Sequence, residues 1–453
     1  MISFWYVMLI AGSLISLPLY AAPVTLSEAY LKARDHDALL GAAKADNLVY
    51  KEEIGKARAG LRPSVRLNAS RGRNGTQHGY MGLYESPDFY NTLVYGVTLR
   101  QPLINLSNIA EYQQAKAVAA KSDAELRKEE AGLIVRLTET YCNALYAEDN
   151  LAFSQAHIKA SEEQLQQAKR RFEKGFGTIT EIHEAQADLD MALAEGLEIV
   201  NSVEFSRREL EHLIGVYPDE LCKLAPERLV LARPIPGSVE SWIDRARGES
   251  PQNSAAHLEM QIAKKEIEKQ KASRYPTIDL VAGRTYSESE NNYSIGSTYE
   301  TYSISLQMSM PIYTGGYTSA SIRQAKAKWL KAGEQYFWKE RSTESEVRKY
   351  YNTVISTIAQ IHAYEQAVKS REIALEGTKK GFGAGLRSNV DVLDALQNLL
   401  AARRNLAKSR YQYILNCLSL RQTAGALSPV DIEEINGWFA TADKTGRDGC
   451  ILH

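Results

Sequence analysis

Long apolar runs are scarce in this 453-residue chain; beyond residue 22 none comes near eighteen consecutive apolar residues. The mature chain therefore has no transmembrane helix, and any passage through a bilayer falls to strands. Charge of one sign is lacking as well: 54 basic against 55 acidic side chains leave a net charge of −1, which speaks against nucleic-acid binding. Only 13 prolines and 29 glycines interrupt the chain, so long unbroken elements are expected. The four cysteines, Cys142, Cys222, Cys417 and Cys450, have no metal-site or redox spacing. Cys142 and Cys417 fall in helical patterns and read as small buried apolar residues. Cys222 and Cys450 are the pair open to a disulfide in an oxidising compartment. The eight histidines are scattered, with no two at ligand spacing on one helix. Gly381-Phe-Gly-Ala-Gly385 follows a helix instead of the strand that a phosphate-cradling loop requires, and no Walker A or nucleophile elbow is present. Neither enzymatic activity nor a metal or cofactor is expected.

What is present begins with an apolar N-terminal run closed by Ala21 and Ala22, an export-signal pattern with cleavage after one of the two alanines. It is short for a membrane span. Tyrosine is abundant, 25 residues against 9 phenylalanines, and suits half-wet surfaces and membrane interfaces.

The rest of the chain is written twice. Gln114-Ala-Lys-Ala117 recurs 210 residues later as Gln324-Ala-Lys-Ala327. The same offset pairs Tyr141 with Tyr351, Leu165 with Leu375, Phe172 with Phe382, Gly175 with Gly385 and Leu210 with Leu420. So long a period marks a duplicated domain, not a solenoid. The organisation read from this is a signal peptide at 1–22, a first repeat at 23–216, a linker at 217–238, a second repeat at 239–427 and a tail at 428–453. Each repeat has one order of elements. A polar helix (26–59 or 239–272) precedes a strand (64–73 or 277–287), a Gly/Tyr/Asn/Ser-rich loop and a second strand (92–103 or 301–312). A very long helix then starts near Asn108 or Thr318.

The second strands alternate. Tyr302, Ile304, Leu306, Met308 and Met310 point one way and Ser303, Ser305, Gln307 and Ser309 the other; Leu93, Tyr95, Val97 and Leu99 behave likewise. Such a strand has one apolar face, suited to a core or, at this length, to lipid. Tyr80, Tyr84, Tyr90, Tyr293 and Tyr299 cluster at the loop ends, where an aromatic belt belongs. Four strands cannot close a barrel, and an open edge in lipid leaves backbone groups unsatisfied. Closure therefore requires further copies of the chain, three of which supply twelve strands.

From Asn108 to Phe172 the chain has no proline and a single glycine, Gly132, which is about 100 Å of helix. Leu151, Ile158, Leu165 and Phe172, and in the second repeat Ile361, Val368, Leu375 and Phe382, form heptad stripes that need a partner helix alongside. The partners are 180–213 and 389–422, reached through turns at Gly175, Gly177, Gly383 and Gly385, where glycine ends one helix before the chain reverses. Thr178 with Glu181 and Ser388 with Asp391 are capping boxes at the start of the returning helices. Asp394 has no capping role and would form a ring of like charge on a threefold axis.

The tip spacings Gly175 to Glu181 and Gly385 to Asp391, the stretch Phe382-Gly-Ala-Gly-Leu-Arg-Ser-Asn-Val-Asp-Val-Leu-Asp394, and the strand ends Gln101-Pro102-Leu103 and Met310-Pro311-Ile312-Tyr-Thr-Gly-Gly316 resemble the TolC family of outer-membrane efflux and type I secretion channels. The resemblance covers residues 24–427. It implies an α+β membrane protein whose duplicated strand pairs and long α-helical hairpins build a trimeric, twelve-stranded β-barrel continued by a periplasmic α-helical tube. It implies an exit duct of a tripartite export system, in the outer membrane and reaching into the periplasm. The partners implied are outer-membrane lipid, a periplasmic adaptor and an inner-membrane transporter, ABC-type or proton-driven. It implies a periplasmic gate in which Arg387 matches the family's arginine and Thr180 its partner, with Asp391 and Asp394 as two acidic rings at the constriction. Phe382 stands where the family has a tyrosine, so a hydroxyl is lost, and Glu181 stands for an aspartate. The alternative on the same pattern is a periplasmic coiled-coil structural or adaptor protein with a small soluble sheet.

Overall fold

The computed structural model describes residues 23–84, 86–290 and 296–440; the expected export signal, Tyr293 and Cys450 lie outside the described residues. In the first half the chain forms α1 (Leu26–His36), α2 (Ala38–Ala59), β1 (Ser64–Thr76), the short β2 (Gly79–Tyr80) and β3 (Leu83–Tyr84), and β4 (Asp88–Ile104). Then come α3 (Leu106–Glu173), α4 (Ile179–Ile214) and the short β5 (Lys223–Leu224). The second half runs α5 (Val239–Glu249), α6 (Pro251–Ala272), β6 (Thr277–Ser289), β7 (Ser297–Ser309), α7 (Tyr317–Gly383) and α8 (Asn389–Thr423), ending with α9 (Pro429–Asn436) and β8 (Phe439–Ala440).

Two expectations change here. The polar helices at 26–59 and 239–272 are each two helices. Asp37 has extended backbone and caps α2, accepting a hydrogen bond from the Leu40 amide at 2.6 Å. Ser250 is likewise extended, and Pro251 opens α6 at a position where its missing amide proton costs nothing. Apolar periodicity runs straight through one extended residue, so it does not register the break. The strand expected at 301–312 ends at Ser309, before Pro311, which cannot donate to a ladder. The corresponding Pro102 stays inside β4, at a shift of register between Pro102 and Ile104, where a bulge accommodates it.

The strands form one antiparallel sheet in the order β1-β4-β6-β7. Register sets Val65, Leu99, Ala282 and Ile304 in one row across the sheet, and Leu67, Val97, Arg284 and Tyr302 in the next. One face is therefore apolar, and it is bare: Leu67 is 71% exposed, Ile304 76% and Leu306 65%. The register also corrects the aromatic belt. Tyr90 and Tyr299 belong by parity to the opposite face. The tyrosines on the apolar face are Tyr95, stacked on Tyr286 at 4.8 Å, and Tyr302, one row along and level with Arg284. Arg284 interrupts that face, but it pairs with Glu300 and lies over the Tyr302 ring, so its charge is matched.

The helices run away from the sheet as two antiparallel hairpins, α3 with α4 and α7 with α8, with α2 and α6 packed along their sheet-proximal halves. The main core lies at mid-length, where Leu26, Leu137, Tyr141, Leu145, Leu210, Ile414, Leu418 and Phe439 pack together. The Tyr141 hydroxyl reaches the Val24 and Cys222 carbonyls at 2.9 and 3.1 Å. Its repeat counterpart, Tyr351, donates to the Gly237 carbonyl. The duplication thus extends to how each repeat anchors the segment around it. Cys142 is buried as expected, whereas Cys417 is partly exposed, with burial lifting its thiol pKa to about 11. The Cys222 thiol is buried 3.8 Å from the Pro23 carbonyl.

Candidate functional site

The candidate site lies at the hairpin tips, far along the helices from the sheet. Both turns have the same geometry. At the first, the Gly175 amide donates to the Phe172 carbonyl (2.9 Å) and the Phe176 amide to the Arg171 carbonyl (2.9 Å). At the second, Gly385 donates to Phe382 (3.0 Å) and Leu386 to Gly381 (2.9 Å). This paired bond pattern closes a helix around a left-handed residue, and Gly175 and Gly385 take that conformation at φ 77° and 76°. Gly177 and Gly383 do not. Gly383 is the last residue of α7. Gly177 is required by close approach, since a Cβ there would meet the Phe172 nitrogen at 3.0 Å.

The two returning helices are capped differently. Ser388 and Asp391 form the full reciprocal box at the start of α8. At α4, Thr178 accepts from the Glu181 amide, but Glu181 does not reach back; its Oε2 is shielded from solvent without a hydrogen-bond partner among the described residues. The Asp391 carboxyl is held below its ordinary pKa first by the Ser388 amide and hydroxyl and then by Arg387. A depressed carboxyl contributes stability above its unfolded value, 3.8, and loses it as pH falls through the folded value. Amide exchange at the first turn of α8, corrected for intrinsic rates, is expected to stay flat down to about pH 4 and to quicken below it. Ser388→Ala, which removes one of the two Ser388 contacts, shifts the onset upward; an onset unmoved by Ser388→Ala would contradict this account.

Arg387, just ahead of the Ser388 cap of α8, is exposed and pairs within its own chain with Asp391 at 3.8 Å; no Glu181 pairing exists within one chain among the described residues. Its side chain also folds back on Gly381, where an added Cβ would lie 2.9 Å from Arg387 Cγ. Thr180 is exposed on the first turn of α4, and Asp394 is exposed on α8, without an ion pair among the described residues. The heptad stripes end unequally. Leu165 and Leu375 are buried within their hairpins, and Phe382 is 2% exposed, but Phe172 is 45% exposed. Phe172 therefore does not complete its stripe as a core residue. Phe382 packs among Leu375, Val392 and Leu396 of its own hairpin and lies under Arg171, whereas the repeat counterpart of Arg171 is Gly381, which has no side chain to make the equivalent contact.

Other contacts between the hairpins escape sequence reading. Gln397 donates to Asp188 Oδ1 at 2.9 Å, and Arg404 pairs with Glu195 at 2.9 Å. These join residues some 200 positions apart, and no local pattern announces them.

A family model described as outer membrane efflux protein matches residues 29–216 and 242–426. The chain is 34% identical over 429 residues to the alkaline protease secretion protein AprF of Pseudomonas aeruginosa, covering 93% of this chain and 89% of that protein. It is 32% identical over 422 residues to the outer membrane protein TolC of Vibrio cholerae, covering 92% and 94%. With the proteases secretion protein PrtF of Dickeya chrysanthemi it shares 30% over 435 residues, covering 95% and 94%. Among solved structures, CusC superposes with a TM-score of 0.78 at 16% identity, over 89% of this chain and 92% of that one. VceC from Vibrio cholerae gives 0.76 at 21%, over 88% and 96%.

Proposed function

This chain belongs to the outer membrane efflux protein family, and we propose that three copies of it form one exit duct. The protein is an outer-membrane channel that extends into the periplasm and serves export. The observation that carries the trimeric barrel is the four-stranded sheet, which has a bare apolar face and two unpaired edge strands, β1 and β7. Lipid tolerates the face but not the edges. Joining β7 of one copy to β1 of the next removes every edge, and three copies give a barrel of twelve strands. A soluble coiled-coil protein would have to cover the same face with another element, and no helix lies across it among the described residues.

The hairpins continue the barrel as a tube, and the tips close its periplasmic end. Arg387 bonds across to the Thr180 and Glu181 region of a neighbouring copy, using donors that Asp391 leaves free. Phe382 packs the closed tip from within. Asp391 and Asp394 form successive acidic rings on the threefold axis, which favour cations over anions. Opening untwists the tips outward when a periplasmic adaptor and an inner-membrane transporter, ABC-type or proton-driven, dock there; such a step switches between two packings. Relatives named for the secretion of proteases favour secreted protein as cargo, small molecules sharing the same conduit.

The test is membrane fractionation followed by cross-linking in detergent. Recovery from the outer membrane as a trimer is expected. Recovery as a soluble periplasmic monomer would overturn the barrel and every role assigned to the tips.

A further inference from the structure

The two tips are not copies of each other at one pair of positions. The first carries Arg171 and Gly177, the second Gly381 and Arg387, at the repeat offset. Each tip thus has one arginine and one glycine, exchanged between equivalent sites. Each glycine is where its own arginine passes: a Cβ on Gly177 would meet Arg171 Cβ at 3.2 Å, and one on Gly381 would meet Arg387 Cγ at 2.9 Å. The exchange sends the arginines in different directions. Arg387 stays exposed ahead of α8, whereas Arg171 bridges from its own tip to the other hairpin.

The Arg171 guanidinium carbon lies 4.5 Å from the centroid of the Phe382 ring. Nη1 donates to the Phe382 carbonyl at 3.2 Å and Nη2 to the Phe176 carbonyl, in its own turn, at 3.4 Å. No carboxylate pairs with it among the described residues. One cation therefore sits between the carbonyl ends of α3 and α7, where two helix dipoles both favour positive charge, and on an aromatic face removed from water. Only a planar fork meets two carbonyls and a ring together.

We propose that Arg171 is a further positioning residue of the closure: it latches the second hairpin to the first through Phe382, and the latch parts when the entrance widens. The inference rests on reading the tips as the closing end of the duct.

The test is closed-state conductance of the full trimer in planar bilayers, with thermal midpoints measured alongside. Arg171→Ala and Phe382→Leu are each expected to raise the leak about tenfold at little change in midpoint. Arg171→Lys should fall between Ala and wild type, and the double variant should leak no more than the leakier single one. Wild-type leak in Arg171→Ala while Arg387→Ala leaks would overturn the latch and leave the gate standing, as would strictly multiplicative effects in the double variant. Wild-type leak in all of them would remove the tip closure itself. A lowered midpoint with unchanged leak would make Arg171 a stability contact and nothing more.

Discussion

Replacing Arg387 by alanine raises closed-state conductance in a planar bilayer by about tenfold or more. The argument is one of differential bonding, because a contact kept in both states shifts nothing. Within its own chain Arg387 makes a single loose ion pair, 3.8 Å to Asp391, between side chains 60% and 40% exposed. Such an exposed local pair is worth little and survives opening, since both partners ride on the same segment. Any gating effect must come from the remaining donors, which are free to bond the neighbouring copy only when the tips are together. Three copies multiply that loss in the trimer. Asp391→Ala acts by a second route. It removes the carboxylate that orients Arg387 and that holds the Ser388 cap, so leak and a frayed start of α8 appear together. Unchanged conductance in both variants would remove Arg387 and Asp391 from the gate.

Placing an arginine at Ile304 abolishes the trimer in the outer membrane. Ile304 is near the middle of β7 on the apolar face, level with Ala282 of β6. An arginine facing lipid near the bilayer midplane costs roughly 2–4 kcal/mol in each copy, and the closed barrel carries three. The adjacent Ser305 points to the opposite face and pairs with Val281, so Ser305→Arg places the same charge in the barrel interior and leaves trimer yield near wild type. Equal yields for the two variants would mean that the face assigned to lipid is not in lipid.

Much of this was legible without coordinates, for reasons that are local. The strand alternation around Ile304 and Leu306 follows from a side-chain period of two. The tip turns follow from glycines that alone accept a left-handed backbone. The duplication is visible as repeated text, and the helix lengths as the absence of proline. What was misread is also physically coherent. A single extended residue, Asp37 or Ser250, breaks a helix without disturbing its apolar rhythm. Which tyrosines share a face depends on strand register, so Tyr95, Tyr286 and Tyr302 share the apolar face while Tyr90 and Tyr299 lie on the other. Reciprocity in a capping box depends on rotamers, so Ser388 and Asp391 close the box while Thr178 and Glu181 close half of it.

The sequence by itself determined the elements and their repetition, because helix, strand and turn are set by forces acting over a few residues and by the periodicity of apolar side chains. Only the tertiary structure decided which tip residues meet. Arg171 reaches Phe382 from 211 residues away, and Phe382 is buried where its repeat counterpart Phe172 is not. A contact across that separation is chosen by how two packed hairpins fit side by side, and nothing in the neighbourhood of either residue encodes it.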